Sequence, residues 1–175
     1  MAHGAAAQDL DLNLNGDTFQ IQYINPIKTH IRSYESEVAG SALFNSDDDY
    51  LFGLGARLRG QAGTGSPGLE VGIGAKLLGG SVAGKGVGAL ALDGVLRYAP
   101  PPLPRFGIRA ELYYAPDIVA FIDASGYLQA EARLEYEVLP DSFVYVGVRR
   151  LAVDIHGGST ETVDSGAHFG IQIHF

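Results

Sequence analysis

Charged residues in this chain sit on alternate positions of otherwise apolar segments. They are Glu35 and Glu37, Arg57 and Arg59, Glu70 and Lys76, Asp93 and Arg97, Arg109 and Glu111, then Glu131, Arg133, Glu135 and Glu137, and finally Arg149. Acids and bases nearly balance within this set. Such groups gathered on one surface do one of two things. Around a water-filled path they bias which ions pass. In a narrow, dry space they must pair with one another, because an unpaired buried charge is costly.

Three smaller constellations carry other chemistry. His168 and His174 share a face but stand roughly 20 Å apart along an extended chain, too far to chelate one metal by themselves. Asp47, Asp48 and Asp49 offer the oxygen ligands that calcium prefers, although such a run also makes an ordinary solvated turn. Ser159, His156 and Glu161 supply the residue types of a hydrolytic triad, which only held geometry makes catalytic. None of these is strong enough to assign a catalytic residue, a metal site or a cofactor.

Composition narrows the classes. The chain has 175 residues, with 20 Asp and Glu against 12 Lys and Arg for a net charge of −8. A nucleic-acid partner needs clustered Lys and Arg, so none is expected. Cysteine is absent, which excludes disulfides and thiolate metal sites.

The elements that must carry these groups are strands. In the last eight residues, Phe169, Ile171, Ile173 and Phe175 alternate with His168, Gly170, Gln172 and His174. Side chains alternate faces along a strand, so this terminal strand is apolar on one side and polar on the other. The same period recurs from Leu10 to Leu14, Phe19 to Tyr23, Tyr34 to Phe44, Tyr50 to Arg59 and Leu69 to Leu77. It continues from Leu90 to Tyr98, Phe106 to Tyr114, Leu128 to Val138, and through Val144, Val146 and Val148. Leu151, Val153 and Ile155 resume one residue out of phase, which a β-bulge near Arg149 and Arg150 would restore. Residues 26–33, 46–49, 61–68, 79–84, 99–105, 115–125, 139–142 and 156–163 read as connections. About ten strands result, with eight as the alternative.

No stretch reaches the roughly 18 to 20 apolar residues of a spanning helix. No Lys or Glu interrupts the apolar strand faces except at the proposed bulge, and Tyr50, Tyr98, Tyr114 and Tyr136 fall near strand ends, where interfacial aromatics belong. An all-β, antiparallel, up-and-down transmembrane barrel follows, with lipid outside and the charged residues inside. A solvated sandwich is the competing reading. Residues 1–8 are expected to be a disordered start, with residues 9–175 as one barrel domain and a secretion signal on the natural precursor. With an even strand count both termini lie on the periplasmic side with connections 61–68, 99–105 and 139–142, and the longest loops, though not all of them, fall on the outer side. The inward glycines Gly53, Gly55, Gly72, Gly74, Gly107, Gly147 and Gly170 would leave room for water.

Several stretches resemble the YfaZ family of Gram-negative outer-membrane proteins. They are Ser46-Asp47-Asp48-Asp49, Gly74-Ala75-Lys76, Glu111-Leu112-Tyr113-Tyr114-Ala115-Pro116, Arg133-Leu134-Glu135-Tyr136, Tyr145-Val146-Gly147-Val148-Arg149 and the terminal Phe175. The similarity runs from about residue 18 to the end, and residues 26–33 and 100–104 follow the family pattern least. The resemblance implies an outer-membrane barrel and carries no catalytic residue.

The functional expectation is a bacterial outer-membrane barrel whose Arg/Glu-lined lumen is structural or passes small solutes passively. An outer-loop adhesion module and a loop-borne hydrolase are the alternatives. Expected partners are outer-membrane lipid and lipopolysaccharide. The barrel-assembly machinery is a third, through the terminal strand with Phe169, Ile171, Ile173 and Phe175. A monomer is expected.

Overall fold

A computed structural model describes residues 8–27, 34–63 and 65–175. Its strands are β1 (Asp9–Leu14), β2 (Thr18–Ile27), β3 (Tyr34–Asn45), β4 (Tyr50–Gln61), β5 (Leu69–Val82), β6 (Lys85–Tyr98), β7 (Phe106–Ala115), β8 (Ala120–Ile122), β9 (Ala124–Leu139), β10 (Ser142–Ile155) and β11 (Ser159–His174). All pairings are antiparallel. β1 pairs with β11 and β5 with β6, so the sheet closes on itself.

One strand comes in two pieces. β6 pairs with β7 from Leu92 to Tyr98 and with β8 from Val87 to Ala89. β7 and β8 are therefore a single crossing, broken at residues 116–119 and holding a short 3-10 turn over Asp117–Val119. Counted this way the barrel has ten strands, the number that the alternation predicts.

The turns follow their residue types. Asn15 Oδ1 accepts the N–H groups of Asp17 and Thr18 at 2.8 and 2.9 Å, closing β1 onto β2. Asn45 Oδ1 does the same for Asp47 and Asp49 at 2.8 and 3.0 Å, with Asp48 in the left-handed region at φ 63°.

The terminal strand behaves as its pattern predicts. Phe169, Ile171, Ile173 and Phe175 are exposed on the outer wall, while His168 and Gln172 are buried inside. The Phe175 N–H donates to the Gln8 carbonyl at 2.9 Å, and the Phe175 carbonyl accepts from the Gln8 N–H at 2.8 Å. Gln8 thus belongs to the barrel and not to a disordered start. Residues 1–7 lie outside the described residues.

Several expected connections are strand. β5 runs on to Val82, β11 begins at Ser159, and Ala120–Ile122 lies inside the expected 115–125 loop. Pro26 pairs with Glu37 inside β2, beyond Ile24, the last β2 residue paired to β1. A residue without an N–H is tolerated at such an edge. The rest of that connection, residues 28–33, is outside the described residues.

The β-bulge is also elsewhere. β10 keeps its alternation through Arg149 and Arg150, and the register shift falls in β11, where Leu151 pairs with Asp164 and Ala152 with Thr162. Val163 is the extra residue. Leu151, Val153 and Ile155 consequently point inward, each 1% exposed, and not toward the outer face.

At the end away from the termini the links are residues 15–17, 46–49, 83–84 and 156–158, besides the broken crossing. The loops 62–68 and 99–105 lie at the end with the termini, as expected, but they exceed the far-end turns in length because residues 79–82, 120–122 and 159–163 are strand.

Candidate functional site

The lumen is built in two layers, polar toward the termini and apolar toward the far end. Two arginines organise most of the polar layer. Arg57 on β4 donates from Nε to Asp93 Oδ1 at 2.9 Å and from Nη1 to Glu37 Oε1 at 3.4 Å. Its Nη2 reaches the Tyr113 hydroxyl at 2.7 Å and Glu111 Oε2 at 3.4 Å. Arg133 on β9 donates to Glu135 at 2.8 Å, to Asp11 at 2.9 Å and to Gln172 at 2.8 Å, with its guanidinium 4.2 Å from the centre of the Tyr145 ring. The planar guanidinium fork, with its five donors, suits this many-partnered role.

Shared carboxylates tie the arginines together. Glu37 also meets Arg59 Nε at 3.1 Å, Glu111 accepts from Arg109 Nε at 2.6 Å, and Glu135 accepts from Arg97 Nε at 2.8 Å. Register explains part of this: Glu37 lies directly opposite Arg57. Across β7 and β9, however, Arg109 faces Arg133 and Glu111 faces Glu131. Like charges directly opposite repel. Arg109 and Arg133 each answer by bonding the glutamate two residues along their own strand, which a two-residue period places on the same face.

The remaining predicted residues have weaker attachments. Glu35 sits at the rim, 3.9 Å from Arg59, and Glu70 lies 3.8 Å from Arg97. Glu131 is 3.8 Å from Arg133 and 3.5 Å from His168. The Lys76 ammonium sits 4.9 Å from the centre of the Tyr113 ring. Glu137 is half-buried and joins no ion pair among the described residues. Arg149 belongs to a separate group, donating to Asp164 at 2.5 Å and to Gln20.

Sequence reasoning missed several members: Asp11, Gln20, Asp164, Gln172 and the hydroxyls of Tyr113 and Tyr145. Asp11 was legible, since it alternates with Leu10 and Leu12. Asp164 was not, because it follows the bulge residue Val163 in what reads as a loop.

The apolar layer was not foreseen. Leu43, Leu51, Leu78, Val82, Val87, Leu151, Val153, Ile155 and Val163 pack with Ala89, Ala91, Ala115, Ala124, Tyr113 and Tyr127 into one cluster inside the barrel. Burial of this apolar area favours closure without any directional bond.

Between them the layers leave little room. One cavity of about 20 Å3 is lined by Arg57, Lys76, Asp93 and Tyr113. Another of about 10 Å3 is lined by Asp11, Gln20, Glu131 and Arg133. Each is on the scale of one water. Nor do the inward glycines leave water-filled space. A Cβ on Gly53 would strike the Lys76 side chain, one on Gly170 the Tyr145 ring, and one on Gly147 both Arg133 and His168. These glycines are sockets for larger neighbours.

The outer wall is apolar, with Leu54, Ile73 and Leu92 at 66, 71 and 68% exposure. Phe44, Tyr50 and Phe52 cluster near one rim, and Phe106 meets Tyr136 near the other at a tilt of 51°, with ring centres 4.8 Å apart. Tyr98 closes β6 at that second rim, whereas Tyr114 lies at mid-wall, paired with Leu92 and Leu128.

The smaller constellations do not assemble. Ser159 pairs with Ile155 and Glu161 with Val153, and no hydrogen bond among the described residues joins the side chains of Ser159, His156 and Glu161. Asp49 spends its carboxylate on the Ala83 N–H at 2.8 Å and the Asn45 amide at 3.2 Å, stitching two turns together. His174 contacts Asp9, away from His168.

A family model described as YfaZ precursor matches residues 2–175. The chain belongs to the YfaZ family. No curated protein matches it. Among solved structures, it is similar to a KdgM porin, with a TM-score of 0.57 and 13% identity over 97% of this chain and 99% of that one. A KdgM porin in complex with disordered oligogalacturonate gives a TM-score of 0.55 at 13% identity, with the same coverage. These likenesses are of fold, and the fold is the closed antiparallel barrel of outer-membrane porins.

Proposed function

We propose that this YfaZ-family chain is a bacterial outer-membrane barrel whose resting lumen is a filled, ion-paired plug with a structural role. The observation that carries the reading is the lumen itself. Two Arg-centred ion-pair clusters and an apolar core fill it, and among the described residues the cavities beside Arg57 and Arg133 hold only about 20 and 10 Å3. Buried charges are stable there because each main arginine meets several acceptors. The outer wall suits lipid, and the terminal strand, with Phe169, Ile171, Ile173 and Phe175, offers the assembly machinery an apolar, aromatic face.

Passive permeation of small solutes is the second reading, favoured by likeness to a porin fold across nearly the whole chain. It requires both layers to move. A liposome-swelling assay separates the two. Vesicles holding the inserted chain should not re-swell in an isotonic small sugar, and re-swelling would establish the pore.

Membrane placement has its own test. Leu92 lies midway along the apolar stretch of β6, so Leu92→Arg should cost about 2–4 kcal/mol in folding into vesicles. Leu134→Arg, two residues from Tyr136 of the rim, should cost less. Equal and negligible costs would remove the outer wall from lipid.

A further inference from the structure

The barrel wall has one weak place, where the apolar layer comes closest to the outside. β6 pairs with β7 as far as Leu92 and with β8 only from Ala89, so Leu90 and Ala91 have no ladder partner on that flank. Its other flank is paired to β5 without interruption from Lys85 to Tyr98. Three register pairs and, beyond the ladder, one hydrogen bond from the Asp123 N–H to the Gly86 carbonyl at 3.1 Å hold the β8 segment to β6, and the His156 N–H donates to the Asp123 carbonyl at 2.8 Å.

Residues 116–123 fill the break. On the inner side Val119 and Ala120 pack against the apolar core. On the outer side Ile118, Ile122 and Phe121 are 89, 67 and 44% exposed, continuing the apolar wall of Leu90 and Leu92. The Phe121 ring lies flat against Gly88, where any Cβ would collide with it. Ile122 is held at φ 69°, a left-handed conformation that a β-branched residue adopts only under strain. Few bonds, stored strain and apolar contacts on both sides distinguish this segment from the rest of the wall.

We infer that residues 116–123 form a lateral hatch through which an apolar, hydrocarbon-like molecule passes between the bilayer and the apolar end of the lumen. Such a molecule cannot enter from the opposite end, where the charged network would have to be stripped of its partners. The hatch rests on the membrane placement proposed above and is independent of whether the lumen conducts ions.

The chain has neither cysteine nor tryptophan, so reporters can be placed cleanly. Tyr127→Trp puts a single tryptophan in the apolar core, and Gly88→Cys with Phe121→Cys places two thiols on register partners across the hatch. In vesicles carrying a bromoalkane dissolved in the bilayer, tryptophan emission should be quenched with the thiols reduced. It should recover when the disulfide forms, and be quenched again on reduction. Gly94→Cys with Leu112→Cys, which ties β6 to β7 below the break, should leave the quenching unchanged.

Quenching that is absent, or equal in the oxidised and reduced states, overturns the hatch. So does protection by the Gly94–Leu112 cross-link. Resistance of the unmodified chain to added protease reads insertion separately, so a failure there is charged to the membrane placement and not to the hatch.

Discussion

The two halves of the lumen solve one problem, filling a ten-stranded barrel, by opposite means. Toward the termini, Arg57 and Arg133 each collect several acceptors at set distances. Toward the far end, Leu151, Val153 and Ile155 simply fill space with their neighbours. The polar half is specific, since a guanidinium satisfied by three partners has one good position. The apolar half is adaptable, since dispersion and burial reward any close packing. A barrel with its charged network at one end and its apolar packing at the other should open, if at all, from the apolar end, where the wall is also broken.

The contrast can be tested one half at a time. The largest effect is expected in the polar half. Arg133→Ala leaves the buried Asp11 carboxylate without a cation and Glu135 with Arg97 alone, at a cost of about 3–5 kcal/mol. Vesicle-refolding titrations in urea measure it, and Glu35→Gln is the matching control. Glu35 is exposed and 3.9 Å from Arg59, so its loss should cost about 0–1 kcal/mol. A cost for Arg133→Ala as small as that of Glu35→Gln would mean that water enters the network freely. Leu151→Ala in the apolar half should cost about 2–5 kcal/mol, the lower end if neighbours close the gap. If it costs nothing, the apolar layer is not packed as described.

The same contrast governs what the sequence discloses. In the polar half the two faces of each strand differ, so Glu131, Arg133 and Glu135 stand out against Ala130, Ala132 and Leu134. The barrel, its approximate strand count and most of the charge network follow from that period. In the apolar half both faces are apolar. Val87-Gly88-Ala89-Leu90-Ala91-Leu92 then reads as a nearly continuous apolar run, and a run with both faces buried carries no alternation. For the same reason Leu151, Val153 and Ile155 looked like a phase slip of the outer face, although β10 never slips and only the lining of the lumen changes. Which acid meets which arginine was also beyond reach. Asp11 and Arg133 are brought together only when β1 closes onto β11.

The central claim, a lumen held shut at rest, is met most directly by single-channel recording of the refolded, unmodified chain in a planar bilayer. The structure predicts a silent membrane despite verified insertion. Discrete openings whose ion preference shifts in Glu131→Gln and Arg109→Gln would contradict it, and would make the charged layer the lining of a pore.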